Sequence, residues 1–159
     1  MIDPSNALES FQHAHQRGLI RLEHGILDPA LFLCVDQPNG ETRFSYVRFE
    51  GKTVAAFVEF VTLEPINGVP CFAIGYAVPQ AFRKQGRAKD VVSAAIAELQ
   101  HGLGRYGAFY IEAVVGTDNL ASQHIAEHLI SNAPVSIKDK HSGLPALQYV
   151  RKIEPPKAP

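Results

Sequence analysis

The hexapeptide Arg83-Lys84-Gln85-Gly86-Arg87-Ala88 concentrates positive charge where a chain can hold an anion. It follows an apolar run, Ile74-Gly75-Tyr76-Ala77-Val78. It precedes Ala88, Val91, Val92, Ala95, Ile96, Leu99 and Leu103, which recur at helical spacing. Arg83, Lys84, Arg87 and Lys89 occur with no acidic residue before Asp90. A helix N-terminus presents unpaired amides and a partial positive charge. Gly86 permits close backbone approach, and Ala88 is small. The chemistry expected is binding of a phosphate or pyrophosphate. The plain alternative is a solvated basic loop before a helix, and these residues alone leave both open.

Two other patterns spell motifs without their context. Gly102-Leu103-Gly104-Arg105-Tyr106-Gly107 has dinucleotide-binding spacing, yet it follows a helix and precedes a strand, the reverse of what that site needs. It reads as a helix stop and a turn. His124-Ile125-Ala126-Glu127-His128 has the spacing of an inverted zinc-peptidase motif. A catalytic zinc needs a third protein ligand, and only Asp139, His141 and Glu154 follow as candidates. No metal site is assigned.

The elements that position the basic loop can be read from periodicity and turn residues. Asp3 and Pro4 open a helix, with a second helical stretch running to about Leu27. Strands are expected over 31–35, 43–49, 53–63 and 69–78, separated by turns at Gln37-Pro38-Asn39-Gly40, Glu50-Gly51 and Pro65-Ile66-Asn67-Gly68. This half is an antiparallel meander. The long helix from Ala88 follows, then a strand over 108–115, a helix over 120–130 capped by Asp118 or Asn119, and closing strands over 134–137 and 146–153. The strand–helix–strand run from Val69 to Val115 implies one parallel pairing through a crossover.

The chain has 159 residues, 46% apolar and 19% charged, with a formal net charge of −1. That composition suits one domain over 1–153, with a disordered tail over 154–159. No global field favours nucleic acid or an anionic membrane, so neither is expected as a partner. Cys34 and Cys71 lie in apolar runs and read as buried, reduced thiols. No signal-peptide pattern or membrane span is read, and the cytoplasm is the expected location.

The loop Arg83-Lys84-Gln85-Gly86-Arg87-Ala88 resembles the Arg/Gln-x-x-Gly-x-Gly/Ala pattern of the GCN5-related N-acetyltransferase family. Its context resembles the family too: strand 74–78 before it, a helix and strand 110–115 after it, then Asn119-Leu120-Ala121-Ser122 opening another helix. That Asn-x-x-Ser is similar to the branch that acetylates ribosomal-protein N-termini. The resemblance covers nearly the whole chain. It implies an α/β (equally α+β) fold, with a mixed, mostly antiparallel sheet and helices on both faces.

The resemblance also implies a site. Backbone amides of Arg83, Lys84, Gln85, Gly86, Arg87 and Ala88 hold the pyrophosphate of acetyl-CoA. Strands 69–78 and 108–115 part at their C-terminal ends to admit the pantetheine arm. Backbone groups of Tyr76, Ala77 and Val78 bond that arm and polarise the thioester carbonyl. Asn119 contacts the cofactor or simply caps its helix. Many members carry a tyrosine that protonates the leaving thiolate seven residues after this asparagine; here that position is Ala126. Ser122 is the substitute that the ribosomal branch suggests, against a plain helix-surface hydroxyl.

The attacking amine must lose a proton. Glu59, in an apolar strand where burial raises a carboxyl's pKa, is one candidate base. Glu112 and Tyr76 are others, each with solvation or packing as the alternative. The implied reaction moves an acetyl group from acetyl-CoA to a primary amine by direct attack in a ternary complex. No cysteine or serine has a visible partner base for a covalent intermediate. A non-catalytic acyl-CoA-binding module is the alternative, and a homodimer follows from family habit.

Overall fold

The computed structural model describes residues 3–157. Asp3 caps the first helix, α1 (Pro4–Gln16): its carboxylate accepts from the Ser5 amide at 2.8 Å, and Pro4 takes the first turn. The strands that follow are β1 (Glu23–His24), β2 (Phe32–Asp36), β3 (Arg43–Glu50), β4 (Thr53–Ile66) and β5 (Val69–Ala77). Helix α2 (Arg87–Gly102) crosses to β6 (Phe109–Gly116), and α3 (Leu120–Leu129) leads to β7 (Val135–Lys138) and β8 (Pro145–Ile153). The sheet runs β1-β2-β3-β4-β5-β6-β8-β7. Every neighbouring pair is antiparallel except β5 with β6, where the crossover through α2 requires parallel strands. Asn67 (φ 51°) and Gly68 (φ 78°) make the β4–β5 hairpin, where two positive φ values match the strand twist.

Strand β4 is the centre of the molecule. Each residue from Val54 to Phe60 is buried, and alternate side chains feed two cores. Ala56, Val58 and Phe60 pack with Val91, Val92, Ala95 and Leu99 of α2, and with Ala126 and Ile130 at α3. Val54 and Phe57 pack with Leu8 and Phe11 of α1; the Phe11 and Phe57 rings lie 5.7 Å apart. The helices therefore cover both faces, as the family resemblance implies.

The expected helix running to Leu27 does not form. Gly18 (φ 68°) ends the turn after α1, and Glu23–His24 instead adds the edge strand β1 beside β2. The amides of Ile26, Leu27 and Asp28 are taken by the buried Glu98 carboxylate of α2, at 3.0, 2.6 and 2.8 Å. Backbone donors that a helix would bond internally are thus spent on a side chain far along the chain. Gly25 is required here, since a Cβ would sit 2.4 Å from the Asp28 carbonyl and 2.8 Å from Glu98 Oε1. At the other terminus, the Glu154 carbonyl accepts from Gln100 Nε2 at 2.8 Å. Of the tail expected to be disordered over 154–159, Ala158 and Pro159 lie outside the described residues.

Glu98→Ala strips three amides of their acceptor. Each unsatisfied buried donor costs about 1–3 kcal/mol, and water recovers part of that. The expected loss is about 2–4 kcal/mol in urea unfolding, with Glu98→Gln losing less because it keeps one acceptor oxygen.

Candidate active site

Strands β5 and β6 pair at Cys71–Tyr110, Phe72–Ile111 and Ala73–Glu112, and then part. Beyond that point β5 stays bonded to β4 as far as Ala77, while β6 stays bonded to β8 as far as Gly116. Among the described residues, the facing edges of the two strands have no strand partner there. Their N–H and C=O groups line a wedge in the middle of the sheet, an arrangement that calls for water or a ligand to complete the bonding. The parting expected of strands 69–78 and 108–115 is present.

Helix α2 begins at the mouth of this wedge. Its N-cap is Gly86, left-handed at φ 74°, and no side chain caps the helix. Lys84 is left-handed as well, at φ 61°. A Cβ built on Gly86 meets nothing within 4 Å, so the space before the first-turn amides is open. Uncapped amides, the helix dipole and adjacent cations together suit a phosphate.

The side chains of the loop divide into two groups. Arg87 is committed: its guanidinium bonds Glu50 at 2.8 Å and Gln85 Oε1 at 3.0 Å, and lies 5.1 Å from the centre of the Phe82 ring. Arg87 and Gln85 thereby brace the loop. Arg83 Nε donates to the Val78 carbonyl at 2.9 Å, tying the loop to the end of β5. Among the described residues, no carboxylate pairs with Arg83, Lys84 or Lys89. Gly86, Lys89, Ser93, Ala94 and Leu129, together with the Asp28–Arg48–Asp90 cluster, line an open groove of about 500 Å³ beside the start of α2. Ala88 is half-buried in the first turn.

The four residues considered for proton transfer fall on opposite faces of the sheet. Opposed residues share a face, so Glu59 lies with Gly75, and Glu112 with Ala73, on the face that carries α1. Glu59 is buried, and burial pushes its carboxyl above the ordinary range against the opposing charge of Arg43. Tyr76 points to the α2–α3 face, alongside Ile74 and Phe72. There its hydroxyl meets Ser122: Tyr76 donates to the Ser122 carbonyl at 2.8 Å, and the Ser122 hydroxyl donates to the Tyr76 oxygen at 3.0 Å. Burial pushes the Tyr76 phenol up, and the bond from Ser122 works against that shift. Asn119 caps α3, accepting from the Ser122 amide at 3.1 Å. Ala126 is fully buried in the main core.

Several residues near the site escaped the sequence pattern. Arg48 bonds Asp28 at 2.6 Å and Asp90 at 2.7 Å, joining the Glu98-bound loop, β3 and the start of α2. The Tyr149 hydroxyl of β8 is buried with no partner among the described residues. The Arg48 contacts had no local signal because they join residues distant in sequence, and the burial of Tyr149 is set by packing that no short stretch encodes. His124 and His128 stack at 4.3 Å on exposed α3. Among the described residues, no group of three or more His, Cys, Asp or Glu side chains is placed to hold a metal ion.

Comparison with known proteins places this geometry. The search of curated proteins returned no match. Among solved structures, a ribosomal L7/L12 α-N-protein acetyltransferase, RimL, bound to coenzyme A is 22% identical, with TM-score 0.54 over 70% of this chain and 63% of that one. An apo crystal form of RimL is 20% identical, with TM-score 0.53 over 95% of this chain and 86% of that one. The putative acetyltransferase yncA from Salmonella typhimurium, with acetyl-CoA, is 17% identical, with TM-score 0.55 over 74% and 68%. This chain spans 63% of the coenzyme A-bound RimL chain. These likenesses establish the fold. The sequence itself matches the acetyltransferase (GNAT) family over residues 8–129, and the chain belongs to that family.

Proposed function

We propose that this chain is an N-acetyltransferase that moves an acetyl group from acetyl-CoA to a primary amine by direct attack in a ternary complex. The observation that carries this reading is the wedge between β5 and β6, opening beside the uncapped N-terminus of α2. The pyrophosphate lies against the amides of the loop 83–88, with Lys84, Lys89 and Arg83 as nearby cations. Asn119 stands beside the arm as both cap and contact. The pantetheine amides bond the free edge of β5 near Tyr76, Ala77 and Val78, and the same edge polarises the thioester carbonyl. The acceptor amine approaches from the α1 face, where Glu59 and Glu112 lie. Glu59 takes the amine proton, directly or through water, and Ser122 protonates the departing sulfur.

The acceptor class spans peptide N-termini, polyamines, antibiotics and small metabolites, since acceptor loops vary most on such scaffolds. RimL acts on a ribosomal-protein N-terminus by its own description, which makes N-terminal peptides the first acceptors to screen. A cytoplasmic location belongs to this reading as the default for a sequence in which no signal-peptide pattern is read, and a homodimer on family habit alone. No helix among the described residues is long and apolar enough to cross a membrane.

Calorimetry tests the donor. Acetyl-CoA binding is expected, weakening as salt rises, because exposed charges are screened over about 8 Å at physiological ionic strength. Gly86→Glu is expected to abolish it by placing a carboxylate in the phosphate's space. The left-handed backbone makes that variant cost about 1–2 kcal/mol of stability without unfolding the domain. Undiminished binding by a folded Gly86→Glu protein would reduce Gly86 to a turn residue. Release of free thiol across an amine panel then tests turnover; binding without release on any amine leaves a binding module.

Glu59 sets a pH dependence. As a base it works ionised, so kcat/KM is expected to fall as pH drops through its raised pKa. Glu59→Gln is expected to lose at least about tenfold in kcat/KM and to lose that acid limb. A pH profile that keeps the limb in Glu59→Gln assigns the base to Glu112 or water.

A further inference from the structure

Tyr76 and Ser122 belong to opposite arms of the wedge. Tyr76 lies one residue before the end of β5, whereas Ser122 lies in the first turn of the helix that follows β6. Their hydroxyls nevertheless form a closed pair: the phenol donates to the Ser122 carbonyl at 2.8 Å, and the serine hydroxyl donates to the phenol oxygen at 3.0 Å. Both side chains are half-buried at the mouth of the wedge. The Ser122 carbonyl alone satisfies the half-buried phenol as a donor; the second bond, from the serine hydroxyl, adds a continuous hydroxyl-to-hydroxyl path between the two arms.

The chemistry of the leaving group gives this pair a use. A thiol ionises at pH about 8–9 and a free phenol near 10, so proton transfer from phenol to thiolate is uphill by a modest amount that burial of Tyr76 increases. A serine hydroxyl is a far weaker acid. Acting alone, it would be left as an alkoxide. With a phenol at hydrogen-bond distance it need never carry charge, because it can take one proton while giving another. Both hydroxyls rotate about their C–O bonds, so the two donors can turn from their resting acceptors toward sulfur and toward Ser122 Oγ.

We propose that Tyr76 is a positioning residue and proton reservoir behind Ser122. The inference rests on the acetyl-CoA reading above. As the amine nitrogen bonds the acetyl carbon, the carbon–sulfur bond breaks and its electron pair goes to sulfur. Ser122 gives its hydroxyl proton to that sulfur and takes the phenolic proton of Tyr76. The tyrosinate is reprotonated from water, which balances the proton that the amine has lost. The resting bond to the Ser122 carbonyl holds the phenol in register across the gap between the two arms.

The test uses the full chain with Tyr76→Phe, Ser122→Ala, both together, and Ser122→Thr, which keeps the hydroxyl. Thermal melting confirms that each is folded. Acetyl-CoA affinity is measured by calorimetry, and turnover by free-thiol release with a screened amine and with water alone as acceptor. Tyr76→Phe is expected to lower kcat at least about tenfold, with acetyl-CoA Kd within about twofold of the parent. The double variant is expected to be no slower than the slower single one, because the two act in series. Ser122→Thr is expected to retain most of the parent rate. Unchanged kcat in Tyr76→Phe overturns the proposal, and so does a Kd that rises in step with the lost turnover, which would make Tyr76 a wall of the cofactor site. Failure of the unaltered chain to bind acetyl-CoA overturns the donor assignment itself, and is read before any variant.

Discussion

A parallel pairing that stops after three positions sets the terms for this molecule. β5 and β6 each keep an outer partner, β4 and β8, so neither strand can swing to close the wedge without breaking a long antiparallel ladder. The inner edges therefore remain unpaired in the middle of an otherwise continuous sheet. Unpaired backbone is costly in a protein interior, and the chain places it where a ligand with its own amides can bond it. The same divergence brings the start of α2 and the start of α3 to the two lips of the opening.

What keeps the lips in place is a set of charged clamps. Glu98 gathers the amides of Ile26, Leu27 and Asp28 against α2. Asp28 in turn meets Arg48, which also meets Asp90 in the first turn of α2. Glu50 holds Arg87 beside the same turn. The helix N-terminus is thus fixed from the β3 side while its amides remain free. Glu50 also makes the basic loop less charged than its residues suggest, because Arg87 is already paired with it, while Asp90 is taken by Arg48. At the start of α2 the amides lack a side-chain cap, and Arg83, Lys84 and Lys89 are the neighbouring cations without carboxylate partners among the described residues. Exposed pairs are individually weak, yet these are joined in series, and Arg48 is mostly buried.

Most of the fold was legible in the sequence because its signals are local. Alternation marks β3, turn residues mark the β4–β5 hairpin, and helical spacing marks α2. Asn119 announces α3, and the cap is made as expected. The segment from Leu19 to Leu27 was misread for the complementary reason. Its apolar residues mimic a helix, but its amides bond a carboxylate about seventy residues away, and no local pattern encodes such a partner.

The sequence by itself determined the family, the basic loop between β5 and α2, and which titratable and hydroxyl residues the chain offers. Each of these follows from residue type and spacing along the chain. Only the tertiary structure decided how those residues divide. It set Glu59 and Glu112 on the α1 face, and brought Tyr76 to Ser122 on the other. It also committed Arg87 to Glu50 and left Lys84 and Lys89 without carboxylate partners among the described residues. The physical reason is register. A strand's two faces alternate residue by residue, so one step of pairing decides which core, helix or cleft a side chain meets. That register is fixed by hydrogen bonds between strands and by the packing of α1, α2 and α3, none of which any single stretch of sequence contains.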